Sequence, residues 1–183
     1  MDSDYWKNIE AFGAESFREL METYGPCVWD YAYSITGRFD LADDVTQDVF
    51  LAAYRTISAF RGHSSIRTWL LAITRNMALN CRRAAFVRRV ILVGRSYENG
   101  KDAHPSAEQE ALRRSRSEEL WRIVLALPVK FREVLLLDAK YGMSLAEIAG
   151  VLDVPLGTVK SRLARARRKV SEAWKGEEAY ERA

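Results

Sequence analysis

The chain has 183 residues, with 28 Lys and Arg against 25 Asp and Glu and a formal net charge of +3. That length holds one or two domains with real cores. Two cysteines, Cys27 and Cys81, are too few for a disulfide framework. Each lies in a helical pattern, so a buried free thiol is expected at each position rather than a metal or redox pair. The start, Met1-Asp-Ser-Asp-Tyr-Trp-Lys7, lacks the basic and apolar parts of a signal peptide. The longest wholly apolar run, 49–54, is far too short to span a bilayer, as are 90–93 and 134–137. A reduced cytoplasm without membrane insertion is the expected setting. The weak net charge hides an asymmetry: basic residues crowd the ends of two helical stretches, while Asp40, Asp43, Asp44 and Asp48 cluster elsewhere.

Helical periodicity runs along nearly the whole chain. Phe17, Leu20, Met21 and Tyr24 make one apolar stripe, and Val28, Tyr31, Ala32 and Ile35 continue it past Pro26 until Gly37. A second helix is expected from Asp40 to about Phe60, with Val45, Val49, Ala52 and Ala53 inward. Arg61-Gly-His-Ser-Ser65 reads as a loop. A third long helix runs from about Ile66 into Arg83 and carries Leu70, Ile73 and Met77. The apolar segment 84–94 either extends that helix or packs on a partner. Residues 95–108 turn polar, with Ser96, Asn99, Gly100, Lys101, Asp102, Pro105 and Ser106, as an exposed linker would. Helical pattern resumes with Leu120, Ile123, Val124 and Leu127, breaks at Pro128, and returns with Phe131, Val134, Leu135 and Asp138 ahead of Gly142. No strand pattern or internal repeat stands out. The expected fold is all-α: two helical domains, 1–94 and 115–183, joined by a flexible linker at 95–114.

The stretch 144–169 carries the most specific pattern. Ser144 with Glu147 three residues later forms a capping box for a short helix. Ala146, Ile148, Ala149 and Leu152 supply its apolar face. Gly150 and Asp153 are expected to loosen the chain for a turn, and Pro155 suits the first turn of a new helix. Val159, Leu163, Ala166 and Val170 then recur at spacings of four, three and four, one narrow inward stripe. The opposite side carries Gly157, Thr158, Ser161, Ala164, Arg165 and Arg168, with Lys160 on its flank. This is a helix-turn-helix whose second helix is small near its start and basic further on. Small residues permit close approach to base edges, and arginines pair with guanine or phosphate. A solvated basic helix lying on a core would share the charge but not the capped partner helix and turn.

A second basic and aromatic constellation lies at 60–83. Phe60 or Trp69 could stack against a base, the small polar loop could hold an unstacked base, and Arg67, Arg75, Arg82 and Arg83 could follow a backbone. Taken singly, a tryptophan on a helix, as Trp69 is, is more often a core residue than a stacking platform, and a lone histidine such as His63 is usually an ordinary surface residue. A metal site is not expected, because the other histidine, His104, falls in the linker.

In their order along the chain, four stretches resemble the bacterial sigma factors of the extracytoplasmic-function (ECF) group of the sigma-70 family. They are Asp40-Leu-Ala-Asp-Asp-Val-Thr-Gln-Asp-Val-Phe50, the segment from Phe60 to Asn76, Leu127-Pro-Val-Lys-Phe-Arg-Glu-Val-Leu-Leu-Leu137, and the helix-turn-helix with Gly157-Thr-Val-Lys-Ser-Arg-Leu-Ala-Arg-Ala-Arg167. The resemblance covers nearly the whole chain. It implies a DNA-binding initiation factor with no catalytic residues and no cofactor. Asp43, Asp44, Gln47, Asp48 and Phe50 would dock on the clamp of core RNA polymerase; for the chain as a whole the β′ clamp and β flap are the implied contacts. Without the resemblance, these carboxylates would be solvated groups favouring a helix start. Phe60, Arg61, His63, Ser64, Arg67, Trp69, Arg75, Asn76, Asn80, Arg82 and Arg83 would capture single-stranded promoter DNA at the −10 element. Thr158, Lys160, Ser161, Arg162, Arg165 and Arg168 would read duplex DNA at −35. An anti-sigma partner, often membrane-anchored, is implied as well.

Three positions depart from the family's habit. His63 stands where an acidic residue is frequent, Ile66 where an aromatic is common, and Leu156 where proline or a polar residue is more usual. They bear on which promoter bases are preferred. A rival reading is a two-domain helix-turn-helix regulator that binds DNA without a sigma role; the acidic stretch ahead of the Arg-Gly-His-Ser loop argues against it. An enzyme acting on nucleic acid fits poorly, since no paired carboxylates, metal-ligand spacing or nucleophile with a base stands at a plausible site.

Overall fold

The structure is a computed structural model that describes residues 13–92 and 116–181. These form two compact units, one on either side of segment 93–115. The linker expected at 95–114 lies outside the described residues, as does His104. All regular structure among the described residues is helical.

The first unit packs three long helices on one another: α1 (Ala14–Thr36), α2 (Phe39–Thr56) and α3 (Ile66–Leu92). Pro26 sits inside α1 without ending it. The helix stops where Gly37 takes the left-handed conformation, φ 70°, and donates its N–H to the Tyr33 carbonyl at 2.8 Å. α2 ends sooner than the sequence suggests: a single 3-10 turn, Ile57–Ala59, separates Thr56 from Phe60. Ser65 caps α3 by accepting the Thr68 N–H at 3.0 Å. The core draws Leu20, Val28, Tyr31 and Ile35 from α1, Val45, Val49, Phe50 and Ala53 from α2, and Ile66, Leu70, Leu71 and Ala78 from α3. Burying each large apolar side chain contributes about 1.5–3 kcal/mol. Segment 84–92 extends α3, the first of the two expectations for it, with Phe86 and Val87 exposed. Cys27 and Cys81 are not joined in a disulfide, and each is half-buried where full burial was expected. The Cys27 thiol donates to the Tyr24 carbonyl at 3.1 Å.

The described residues of the second unit form α4 (Arg116–Ala126), α5 (Val129–Ala139), α6 (Leu145–Leu152) and α7 (Leu156–Glu181). Pro128 opens α5 and its carbonyl accepts the Phe131 N–H at 2.8 Å. The Arg132 guanidinium reaches back to the Leu125 and Leu127 carbonyls, so a nearly buried charge ties the end of α4 to α5. α4, α5 and α6 all pack against α7. Ile123, Phe131, Val134, Leu137, Ile148, Leu152, Val159, Leu163 and Ala166 form the shared core.

Candidate nucleic-acid interface

α6 and α7 build the helix-turn-helix. Ser144 accepts the Glu147 N–H at 3.3 Å, and the Glu147 carboxylate accepts the Ser144 N–H at 2.9 Å, which closes the expected capping box. The turn differs from expectation. Gly150 stays within α6, and Asp153 alone turns the chain, at φ 49° and ψ 54°. Asp tolerates this left-handed conformation better than most residues. Pro155 stands immediately before α7, and its carbonyl accepts the Thr158 and Val159 N–H groups of the helix's first turn. Val159, Leu163 and Ala166 are buried; Val170, the fourth of the expected stripe, is half-buried.

The outer surface of α7 resolves into two rows at spacings of four. One runs Leu156, Lys160, Ala164, Arg168, and the other Gly157, Ser161, Arg165; all seven are exposed. Thr158 and Arg162 are half-buried on the other flank. Ser161 spends its hydroxyl proton on the Thr158 carbonyl at 3.0 Å, so its lone pairs point outward as acceptors. Arg168 lies 3.7 Å from Glu172 in an exposed pair of the kind that contributes little. Arg167 pairs instead with Asp138 of α5 at 2.7 Å and tethers α7 to α5. That link across 29 residues of sequence leaves no local signal in the chain.

In the first unit, Arg61 and His63 are exposed at the loop, which bends through Gly62 at φ 68°. Ser64 is half-buried. Phe60 and Trp69 are both half-buried, with ring centroids 5.3 Å apart, so each supports the other while keeping an accessible edge. Ile66 is 1% exposed. It is therefore a core residue and offers no outward surface. At about 100° per residue, Trp69, Asn76, Asn80 and Arg83 share one outward arc of α3. Asn76, Asn80 and Arg83 are exposed there. Arg75, half-buried, and Arg82, exposed, lie about 80–100° beyond the edge of that arc, toward the far side of the helix that carries exposed Arg67.

The outer face of α2 carries exposed Asp43, Asp44, Gln47 and Asp48. Phe50 does not belong with them. It is 5% exposed and meets Phe17 edge-on at 6.4 Å, so it is a core residue. The apolar component of this face is instead Leu51 and Tyr54, each 52% exposed, which sequence reasoning missed. Their spacing from Gln47 could have revealed them. Asp43 sits at the edge toward α1, where it accepts the Trp29 indole N–H at 2.6 Å. Arg38 bonds Asp40 at the start of α2 and holds its carboxyl below the ordinary value.

Among the described residues no group of His, Cys, Asp and Glu could hold a metal ion, and no helix is long and apolar enough to cross a membrane.

Comparison with known proteins places both units. Residues 20–86 match the Sigma-70 region 2 family, and residues 117–170 match the family described as Sigma-70, region 4. The chain is 31% identical to RNA polymerase sigma factor YlaC of Bacillus subtilis (strain 168), over 84% of this chain and 88% of that protein. It is 37% identical to the ECF RNA polymerase sigma-E factor of Escherichia coli (strain K12), over 68% of this chain and 69% of the relative. Among solved structures, it resembles the sigma factor RpoE from Bartonella quintana, crystallised with the anti-sigma factor NepR, at a TM-score of 0.72 and 23% identity, covering 88% of this chain and 98% of RpoE. It also resembles CnrH, solved with the cytosolic domain of CnrY, at a TM-score of 0.65 and 25% identity, covering 95% of each chain. Both helical units, in this order in one chain, match the two regions of a single family, and the chain belongs to the ECF group of the bacterial RNA polymerase sigma factors.

Proposed function

We propose that this sigma factor divides promoter recognition between its two units, with domains spanning 1–94 and 115–183 and a linker at 95–114. The observation that carries the reading is the opposite chemistry of two exposed faces: acidic and apolar on α2, basic and small on α7. The α2 face, Asp43, Asp44, Gln47, Asp48, Leu51 and Tyr54, docks on core RNA polymerase. Exposed apolar side chains ringed by carboxylates suit a partner surface with an apolar centre and a basic rim.

The face of Trp69, Asn76, Asn80 and Arg83, with the loop at Arg61, His63 and Ser64, captures single-stranded −10 DNA. Asparagine amides read base edges, and an aromatic pair offers a stacking surface once a base leaves the duplex. Arg75 and Arg82, further round α3, follow the backbone, and Arg67 contributes from the far side. In the second unit, Lys160, Ser161, Arg165 and Arg168 meet the −35 major groove, with Thr158 and Arg162 at its margin. Outward lone pairs on Ser161 suit an amino group of adenine or cytosine. Melting is driven by binding energy, without covalent chemistry by this chain.

The chain acts in the cytoplasm and is held inactive there by an anti-sigma protein. The likeness to CnrH, solved with the cytosolic domain of CnrY, supports a partner of that location.

Reconstituted transcription tests the reading. Purified chain added to bacterial core RNA polymerase on a library of promoter fragments should give initiation confined to a subset sharing two spaced elements. Initiation that is independent of promoter sequence, or absent with every core and fragment, would overturn it.

A further inference from the structure

We propose that Leu156 is a specificity residue of α7 that packs against the C5 methyl group of a thymine in the −35 duplex; this rests on the −35 reading above. Leu156 is the first residue of α7 and is 44% exposed. An apolar side chain left in water forgoes the roughly 25 cal/mol per Å² that burial would supply. Within its own unit it takes no part in the buried core formed by Val159, Leu163 and Ala166. Exposed Lys160 follows it one turn on and lies beside it on the helix surface, so a surface that meets Lys160 is within reach of Leu156.

Its neighbour makes the same end of the helix approachable. Nothing lies within 4 Å of where a Cβ on Gly157 would stand. The fold therefore has room for a side chain there, although a helical glycine costs stability relative to alanine. A residue that the fold does not require to be small leaves space for an external surface. Together the two positions present an apolar knob beside a gap, at the end of the helix that a helix-turn-helix directs at base edges. The only apolar group that the major groove offers is the thymine methyl, which forms apolar contacts with side chains of this kind. A phosphate or a guanine edge would gain nothing from leucine.

The experiment removes the methyl without altering base pairing. The full chain first selects its −35 duplex from a random pool. Each thymine of the selected duplex is then replaced singly by deoxyuracil, and affinity is measured for the native chain, Leu156→Ala and Leu156→Met. The native chain should bind about three- to five-fold more weakly at one deoxyuracil position, as loss of a single buried methyl implies. Leu156→Ala should bind thymine and deoxyuracil alike at that position, and Leu156→Met should restore part of the preference. Unchanged thermal melting of both variants would show that the fold is intact. The proposal is overturned if no position distinguishes thymine from deoxyuracil, or if Leu156→Ala keeps the distinction. Failure to select any duplex over random DNA would overturn the −35 reading itself, and the proposal with it.

Discussion

α2 and α7 follow one architectural rule and reach opposite surfaces. Each buries one stripe against its own unit: Val45, Val49 and Ala53 on α2, Val159, Leu163 and Ala166 on α7. Outward, α2 presents carboxylates around Leu51 and Tyr54, while α7 presents Gly157, Ser161 and Ala164 backed by Lys160, Arg165 and Arg168. The buried stripes fix the fold and say little about function, because any two amphipathic helices share them. The outward faces carry the distinction. A protein partner rewards exposed apolar area with a charged rim, whereas DNA rewards positive charge and small side chains that let the helix into a groove.

The largest expected effect breaks one unit and spares the other. Leu152 is buried in the second unit, and Leu152→Ala should destabilise that unit by about 2–5 kcal/mol. Urea unfolding should show the loss in one transition, with −35 binding abolished and polymerase association retained. A matching loss in both units would mean that they do not fold separately.

Arg165→Ala sharpens the contrast within the second unit. Removing an exposed arginine of the reading face should weaken −35 duplex binding by about 1–3 kcal/mol, measured by fluorescence anisotropy, without changing polymerase association. Leu51→Ala is its mirror image. Leu51 is too exposed to support the core, so thermal stability should hold while affinity for core polymerase falls by about 1–2 kcal/mol. Ser144→Ala opens the capping box ahead of the turn and should cost about 1 kcal/mol of stability, read by thermal melting.

The smallest effect concerns Asp40. Arg38 lowers the folded-state pKa of Asp40, so its stabilisation is complete above the ordinary carboxylate value and fades as pH falls through the lowered one. Arg38→Ala should move the Asp40 titration, followed by NMR, back up toward the ordinary range. Both groups are exposed, so overall stability should barely change.

Much of this was legible in the chain. Periodicity gave the helices, Gly37 and Ser144 marked an end and a start, and the row through Ser161 and Arg165 lay on the expected side of α7. What the sequence hid were choices decided by neighbours. Phe50 follows a run of carboxylates and reads as part of their face, yet Phe17 on α1 claims it for the core. Leu51 and Tyr54 drew no notice in the sequence, yet both stay 52% exposed, Tyr54 even with the Phe17 ring of α1 against it at 5.1 Å. Arg132 and Arg167 look like any basic residues in a basic chain; only the fold shows that one ties α4 to α5 and the other meets Asp138. Gly150, expected to loosen a turn, is helical because Asp153 makes the turn alone.

The central claim is that the two faces serve different partners. It is tested most directly by measuring Leu51→Ala and Arg165→Ala side by side for affinity to core RNA polymerase and to the −35 duplex. The expected result is a crossed pattern: Leu51→Ala loses polymerase binding alone, and Arg165→Ala loses duplex binding alone. If each variant loses both activities, or if Leu51→Ala weakens the duplex and leaves the polymerase untouched, the assignment of the faces is wrong.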